Sequence, residues 1–215
     1  ARAAGIGLTL DAEEAERLDL QLYVFIDVFN DATLADWNGF GLAVQAYQKR
    51  APYVIAWLAQ AAKQNGKRMP VRLVKGAYWD TEIKRAQVQG LAGYPVYTRK
   101  AATDVAYLAC ANALLQNAQA FYAQFATHNA HTVAYLLERA GERRDFEFQR
   151  LHGMGEALHY VVLKLPGLAC RVYAPVGAHA DLLPYLVRRL LENGANTSFV
   201  NRIADENAPV EHVIA

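Results

Sequence analysis

The sequence predicts an α/β protein organised on one parallel sheet. Short apolar runs alternate with longer amphipathic ones, nearly every apolar run ends in polar side chains, and no Pro-, Gly- or Ser-rich linker divides the chain. The strand-like runs occupy residues 5–11, 39–45, 70–76, 123–129, 146–153 and 170–177, and each is followed by helix-forming sequence. Strand then helix, six times over, requires right-handed crossovers and parallel pairing.

The first two runs, "GIGLTLD" and "GFGLAVQ", open on glycine and rise to apolar centres. After the second, "RAPYVIAWLAQAAKQNGK" reads as a helix. Pro52 suits its first turn, Val54, Ile55, Leu58 and Ala62 share one face, and Gly66 stops it. The third run, "PVRLVKG", sets Arg72 among Val71, Leu73 and Val74. Two helical segments follow it, "WDTEIKRAQVQG" and "TRKAATDVAYLACANALLQ", with the turn-rich "LAGYPVY" between them. "AHTVAYLLERAG" is the helix after the fourth run. The last helix, "DLLPYLVRRLLENGANTSF", places Leu183, Leu186, Val187 and Leu190 in one stripe expected to be buried. Tyr185, Arg188, Arg189 and Glu192 form the opposite stripe, which faces either water, with an Arg188–Glu192 pair, or a bound anion.

Composition excludes several classes. The net charge is +1 and 53% of residues are hydrophobic, so neither a nucleic-acid footprint nor a disordered acidic chain is indicated. Apolar runs are interrupted by charge, as at Arg188 and Arg189, well short of a membrane span. Cys110 and Cys170 lie far apart without Cys-x-x-Cys spacing, which predicts two reduced, buried thiols in a cytoplasmic protein. The opening "ARAAGIG" carries no initiator Met and no leader pattern, so the chain reads as a piece of something longer.

Chemistry is expected where the strands end. Asp11, Gln45, Lys75, His128 with Asn129, and Gln149 with His152 close five runs, and Tyr173 stands before "APVG" in the sixth. In parallel α/β proteins these ends share one rim, where ligands bind. No run presents Gly-x-Gly-x-x-Gly or a Walker loop. Ser198 is the only serine and has no nucleophile turn around it. A metal held by His128, His131, His152 and Asp11 is one alternative, though no pair has strong ligand spacing. The rim is otherwise rich in fixed cations, Arg72, Lys75, Arg188 and Arg189, whose forks suit a carboxylate or phosphate. An unpaired Arg72 among apolar neighbours would be costly, so its structural alternative is an ion pair with Asp11.

Five separated motifs, "VRLVKGAYWDTEIKRAQ", "FATHNAHT", "FQRLHGMGE", "RVYAPVG" and "LVRRLLENGANTSFVNRI", together resemble the proline dehydrogenase domain of the bifunctional bacterial proline-utilisation flavoenzymes, the proline utilization A family. The resemblance implies a (β/α)₈ TIM-type barrel over residues 1–206, with 207–215 as a tail, and an FAD bound without a covalent link. It implies oxidation of L-proline to Δ1-pyrroline-5-carboxylate by hydride transfer from Cδ to flavin N5, in proline catabolism to glutamate. Electrons would pass to a quinone through peripheral contact at the inner face of the membrane. The parent would be a larger bifunctional polypeptide with an aldehyde dehydrogenase domain, and this domain would not bind nucleic acid.

The resemblance also implies site roles. The last helix would lie over the barrel mouth, with Arg188 and Arg189 clamping the proline carboxylate. Tyr185, Tyr173, Tyr78 and Leu73 would wall the pyrrolidine ring. Arg72 and Gln45 would address the isoalloxazine, and Lys75, Gly76 and Ala77 the ribityl and phosphate region. Thr127, His128 and Asn129 would contact the flavin and diphosphate, and Gln149 the adenine side. Glu192, Ser198 and Phe199 would hold the adenosine end. Asp11, a buried acid, and Arg72 would be the catalytic pair. Hydride release needs a neutral proline amine, so activity is expected to rise with pH.

The sequence departs from the family pattern in two places. Only six β/α units are present, so the first two, with a substrate-binding lysine and an acidic gate residue, would be missing. "YVVLKLPGLACRVY" is a shorter and more apolar connector than usual. Two alternatives to the enzyme therefore stand beside it: a non-catalytic barrel fragment that needs its missing part or a partner chain, and a metal hydrolase using His128 and His152.

Overall fold

The computed structural model describes residues 1–194. Its strands are β1 (Leu8–Leu10), β2 (Phe40–Gln45), β3 (Met69–Val74), β4 (Phe121–Ala126), β5 (Phe146–Leu151) and β6 (Ala169–Tyr173). Its α-helices are α1 (Leu18–Phe29), α2 (Ala51–Gln64), α3 (Trp79–Val88), α4 (Lys100–Gln116), α5 (Ala130–Ala140), α6 (Glu156–Val162) and α7 (His179–Gly194). The strands pair in sequence order, all parallel, in a single curled sheet.

Each predicted run corresponds to a strand; Gln45, Gln149 and Tyr173 stay within the ladder, while the other polar tails leave it. Residues 75–76, 127–129, 152–153 and 174–177 are loops. β6 stops before Pro175, which has no N–H to extend the ladder. The rim chemistry therefore spans the last ladder residues and the loops just beyond them.

Side chains alternate across the sheet with period two. Leu42 and Val44, Val71 and Leu73, Phe121 and Phe125, and Phe146 and Phe148 point to the helix layer, where they meet Ile55, Leu58, Tyr107, Leu114 and Leu136 in one buried cluster. Phe146 stands edge-on to both Phe125 (5.6 Å) and Phe148 (5.7 Å). The opposite, concave face carries Arg72, Gln124, Glu147, Gln149 and Arg171. Register places Ala43, Arg72, Gln124 and Glu147 in one lateral row.

Gly41 shows how tightly β2 and β3 meet. A Cβ built there would fall on the Pro70 carbonyl, far inside contact distance. Gly41→Ala is expected to destabilise the fold by about 1–3 kcal/mol, the usual cost of overpacking a closed interior, read as a lower urea midpoint with an unchanged m-value. An unchanged midpoint would show that the two strands can part.

Among the described residues β1 and β6 each pair on one side only. Apolar side chains stand exposed beside both, Ile6 and Leu8 at one edge and Leu163, Leu165 and Val172 at the other. No helix among the described residues is long and apolar enough to cross a membrane. Cys110 is buried, and burial pushes its thiol up to about 11. Cys170 is only half-buried, against the expectation of two buried thiols.

The last helix also departs from expectation. Leu183, Leu186 and Val187 are 53%, 46% and 44% exposed, so the stripe expected to be buried is not. On its opposite face the Arg188 guanidinium lies over the ring of Tyr78, in the loop after β3. The side chains of Arg189, Leu190 and Glu192, and residues 195–199 of the predicted helix with Ser198 and Phe199, lie outside the described residues.

Candidate active site

Arg72 anchors the site. It projects from β3 onto the concave face, with 19% of its side chain exposed. Its Nη1 donates to Asp11 Oδ1 at 2.8 Å, its Nε donates to Gln149 Oε1 at 2.8 Å, and its guanidinium lies 5.5 Å from the Tyr173 ring centre. The structural ion pair with Asp11 is thus present. Asp11 itself is not the buried acid expected, since its side chain is 72% exposed just past the end of β1.

The loop after β1 is held from several sides. Glu82 of α3, only 3% exposed, accepts from the Ala15 N–H at 2.5 Å. Gln45 at the end of β2 donates Nε2 to the Glu13 carbonyl at 2.6 Å, and Arg50 donates to the Ala15 carbonyl at 3.0 Å. The loop thereby presents Glu13 to Tyr78, whose hydroxyl donates to Glu13 Oε2. Burial, then the Glu13 hydrogen bond, pushes the Tyr78 phenol up to about 12, so it stays a donor.

Arg188 closes the mouth from α7. Its guanidinium lies 5.1 Å from the Tyr78 ring centre, within cation–π range, and its buried Nε has no hydrogen-bond partner. Tyr185, one turn earlier, is half-buried. Two groups thus meet at the loop after β1: Arg72 with Asp11, Gln149 and Tyr173, and Tyr78 with Arg188 and Glu13, whose carbonyl Gln45 holds.

The remaining predicted residues sit along the same rim. Lys75 pairs with Asp104 of α4, which also binds Lys100 at 2.7 Å. Hydrogen bonds from Lys100 and Lys75 hold the Asp104 carboxyl below its ordinary value although burial opposes this. Gly76 has φ +138°, and a Cβ there would strike the Tyr47 ring, so only glycine fits. Ala77 stands between it and Tyr78. Beyond β4, buried Thr127 offers its carbonyl to His159 Nε2 at 3.0 Å. His128 Nε2 accepts from the Leu151 N–H at 3.0 Å, and Asn129 caps α5 by accepting from Thr132 N at 2.9 Å.

Leu73 is not brought to the mouth. Adjacent to Arg72, it must face the opposite way, and it is fully buried beneath the helices. Gln149, assigned by resemblance to an adenine contact, is 1% exposed and spends both ends of its amide on protein partners. Among the described residues no grouping of three or more His, Cys, Asp and Glu side chains is placed to hold a metal.

Sequence reasoning passed over Glu13, Glu82, Glu147 and His159. For Glu147 a signal existed: in "FEFQRL" it alternates with two phenylalanines, which marks the concave face. Glu13 and Glu82 act through tertiary contacts 65 and 67 residues away in sequence, which no local pattern announces.

Known proteins resemble this chain closely. The profile of the proline dehydrogenase family matches residues 1–202. The Bifunctional protein PutA of Klebsiella aerogenes is 55% identical over 224 residues, covering 100% of this chain and 17% of that protein. The crystal structure of the D779W mutant of proline utilization A from Bradyrhizobium japonicum superimposes with a TM-score of 0.94 at 56% identity, covering 100% of this chain and 22% of that one. Proline utilization A from Bdellovibrio bacteriovorus, in a structure inactivated by N-propargylglycine, gives 0.92 at 35% identity, over 99% of this chain and 22% of that one. The chain thus spans only a small part of these relatives' length, yet the family profile extends past its last described residue: the chain belongs to the proline dehydrogenase family.

Proposed function

We propose that the chain is the FAD-dependent proline-oxidising part of a larger bifunctional protein, with its six strands belonging to an eight-stranded barrel. The observation that carries this reading is a pair of arginine–tyrosine contacts tied to one loop: Arg72 lies over Tyr173 and pairs with Asp11, and Arg188 lies over Tyr78, which donates to Glu13, two residues after Asp11. The pair supplies a cationic grip and aromatic walls, which suit an amino acid with an anionic head and an apolar ring. The apolar side chains exposed beside β1 and β6 support the larger barrel, since additional strands would cover them.

The residues present fit a flavin. Gln45 is 4% exposed and its Oε1 is buried without a protein donor, so it can accept from a ring N–H. Arg72 and Lys75 supply cationic donors, and Gly76 turns the loop between Lys75 and Tyr78 with its φ of +138°. Thr127, His128 and Asn129 border the start of α5, whose N-terminal N–H groups suit a diphosphate. When bound, the flavin supplies the two-electron acceptor for hydride leaving Cδ of proline.

The chain's own residues bind and orient. Arg188, with Arg189 beside it in sequence, holds the carboxylate, while Tyr78, Tyr173 and Tyr185 exclude water around the ring. Arg72 stabilises negative charge arising at its guanidinium, and Asp11 and Gln149 hold that guanidinium in place. Quinone as the final acceptor follows from the family reading.

Purified protein reconstituted with FAD is expected to be yellow, to bleach when L-proline is added without oxygen, and to lose this response after N-propargylglycine treatment. Protein that takes up FAD but does not bleach would favour the non-catalytic fragment. Protein that takes up no flavin would overturn the assignment.

A further inference from the structure

The concave face carries a polar chain that runs from β6 to the mouth. Register sets Arg72, Gln124 and Glu147 side by side, with Gln149 beside Arg171 one step nearer the rim. Glu147 is 3% exposed and surrounded by donors. Its Oε1 accepts from Gln149 Nε2 (2.7 Å), Arg171 Nε (2.8 Å) and Gln124 Nε2 (2.9 Å). Its Oε2 accepts from Arg171 Nη2 (2.9 Å) and Tyr122 OH (3.3 Å). An ionised carboxylate can only accept, so every one of these groups must present a hydrogen to it.

The consequence falls on Gln149. A carboxamide donates at one end and accepts at the other. With Nε2 committed to Glu147, the carbonyl end must face outward, and Oε1 accepts from Arg72 Nε at 2.8 Å. Reversing the amide would set a carbonyl against a carboxylate and an NH₂ against a guanidinium, at a side chain only 1% exposed. Glu147 and Arg72 share no hydrogen bond, yet the first determines what the second meets.

We infer that Glu147 is a positioning residue for Arg72: by fixing which end of Gln149 faces the guanidinium, it sets the guanidinium in the mouth where Asp11 also holds it. The functional half of this inference rests on the mouth being the proline-oxidising site. Glu147 itself touches no substrate. Burial opposes its ionisation, but hydrogen bonds from Arg171 and Gln149 outweigh burial and hold its carboxyl below the ordinary value, so the orienting charge persists at neutral pH.

Two measurements test the inference. In flavin-free protein, thermal unfolding is read for Glu147→Gln, Arg72→Met and the double variant, then repeated with Gln149→Ala throughout. The two residues are expected to couple, the double variant losing several degrees less in Tm than the sum of the singles, and the coupling is expected to vanish once Gln149 is gone. Additive shifts with Gln149 intact would overturn the inference, whatever reaction the protein runs. If Glu147→Gln does not accumulate, Glu147→Asp, which withdraws the oxygens, enters the same cycle.

In the flavin-loaded protein, Glu147→Gln is expected to lower kcat for proline about tenfold, the size of one lost charge-assisted hydrogen bond, with KM within twofold. Tyr122→Phe removes one donor from the same carboxylate but leaves Arg171 to keep it ionised and Gln149 oriented, so its kcat should stay within twofold. Equal kcat losses in the two variants would reduce Glu147 to a structural carboxylate and overturn the inference. A parent protein that never turns over proline would sink the proposed function alone and leave the Tm cycle standing.

Discussion

Arg188→Ala is expected to raise the KM for L-proline about a hundredfold, the loss of a paired, charge-assisted grip on a carboxylate, while the thermal midpoint stays nearly unchanged. The structure supports both halves. Arg188 stacks on Tyr78, and its Nε is buried without a hydrogen-bond partner. A guanidinium so placed gives the fold little and offers a ligand much. Arg188→Lys should recover only part of the affinity, because a point charge lacks the fork that meets both carboxylate oxygens. Steady-state kinetics against proline, with equilibrium binding of a non-reacting cyclic amino acid, separates grip from turnover. An unchanged KM in Arg188→Ala would show that the helix presents this stripe to water and that the carboxylate is held elsewhere.

The sequence carried the β/α order well and the direction of the last helix poorly. Alternation of apolar runs with helical faces reports local geometry, so all six strands and the helix starting near Pro52 were legible from it. Polar strand ends gave Gln45 and Gln149, and the charge set among Val71, Leu73 and Val74 gave Arg72, because a polar side chain alternating with apolar ones in a strand marks the face turned from the helices. The stripe Leu183, Leu186 and Val187 misled because periodicity identifies two faces but does not say which one is covered. In α7 the covered face is the one with Arg188, because Tyr78 offers its ring there. Leu73 failed on alternation itself: next to an inward Arg72 it had to point outward. The loop contacts of Glu13 and Glu82, and the burial of His159, depend on elements brought together only by the whole sheet, and local sequence contains no trace of them.

Acid is expected to unfold the protein in two stages, and the sign of each follows from its groups. His159 is 1% exposed, and its Nε2 donates to the Thr127 carbonyl, which leaves Nδ1 as a buried acceptor without a partner. Burial, with Arg150 nearby, holds its pKa below the ordinary 6.5. As pH falls through 6.5 the unfolded chain takes up a proton that the folded chain refuses, so stability declines by up to about 1.4 kcal/mol per pH unit until the folded value is reached. The second stage belongs to carboxylates with depressed values, Glu147, Asp104 and Asp145. Their contribution is complete above the ordinary 4.5 for glutamate and 3.8 for aspartate, and is lost as pH falls through the lower folded values. Urea titrations from pH 8 to pH 3 should show both slopes. His159→Gln, which can still donate to Thr127, should flatten the upper slope and leave the lower one. A full upper slope in that variant would assign it to some other group. Because His159 secures Thr127 at the end of β4, the upper stage should also loosen the rim beside Asn129, so flavin affinity should fall with pH before the fold is lost.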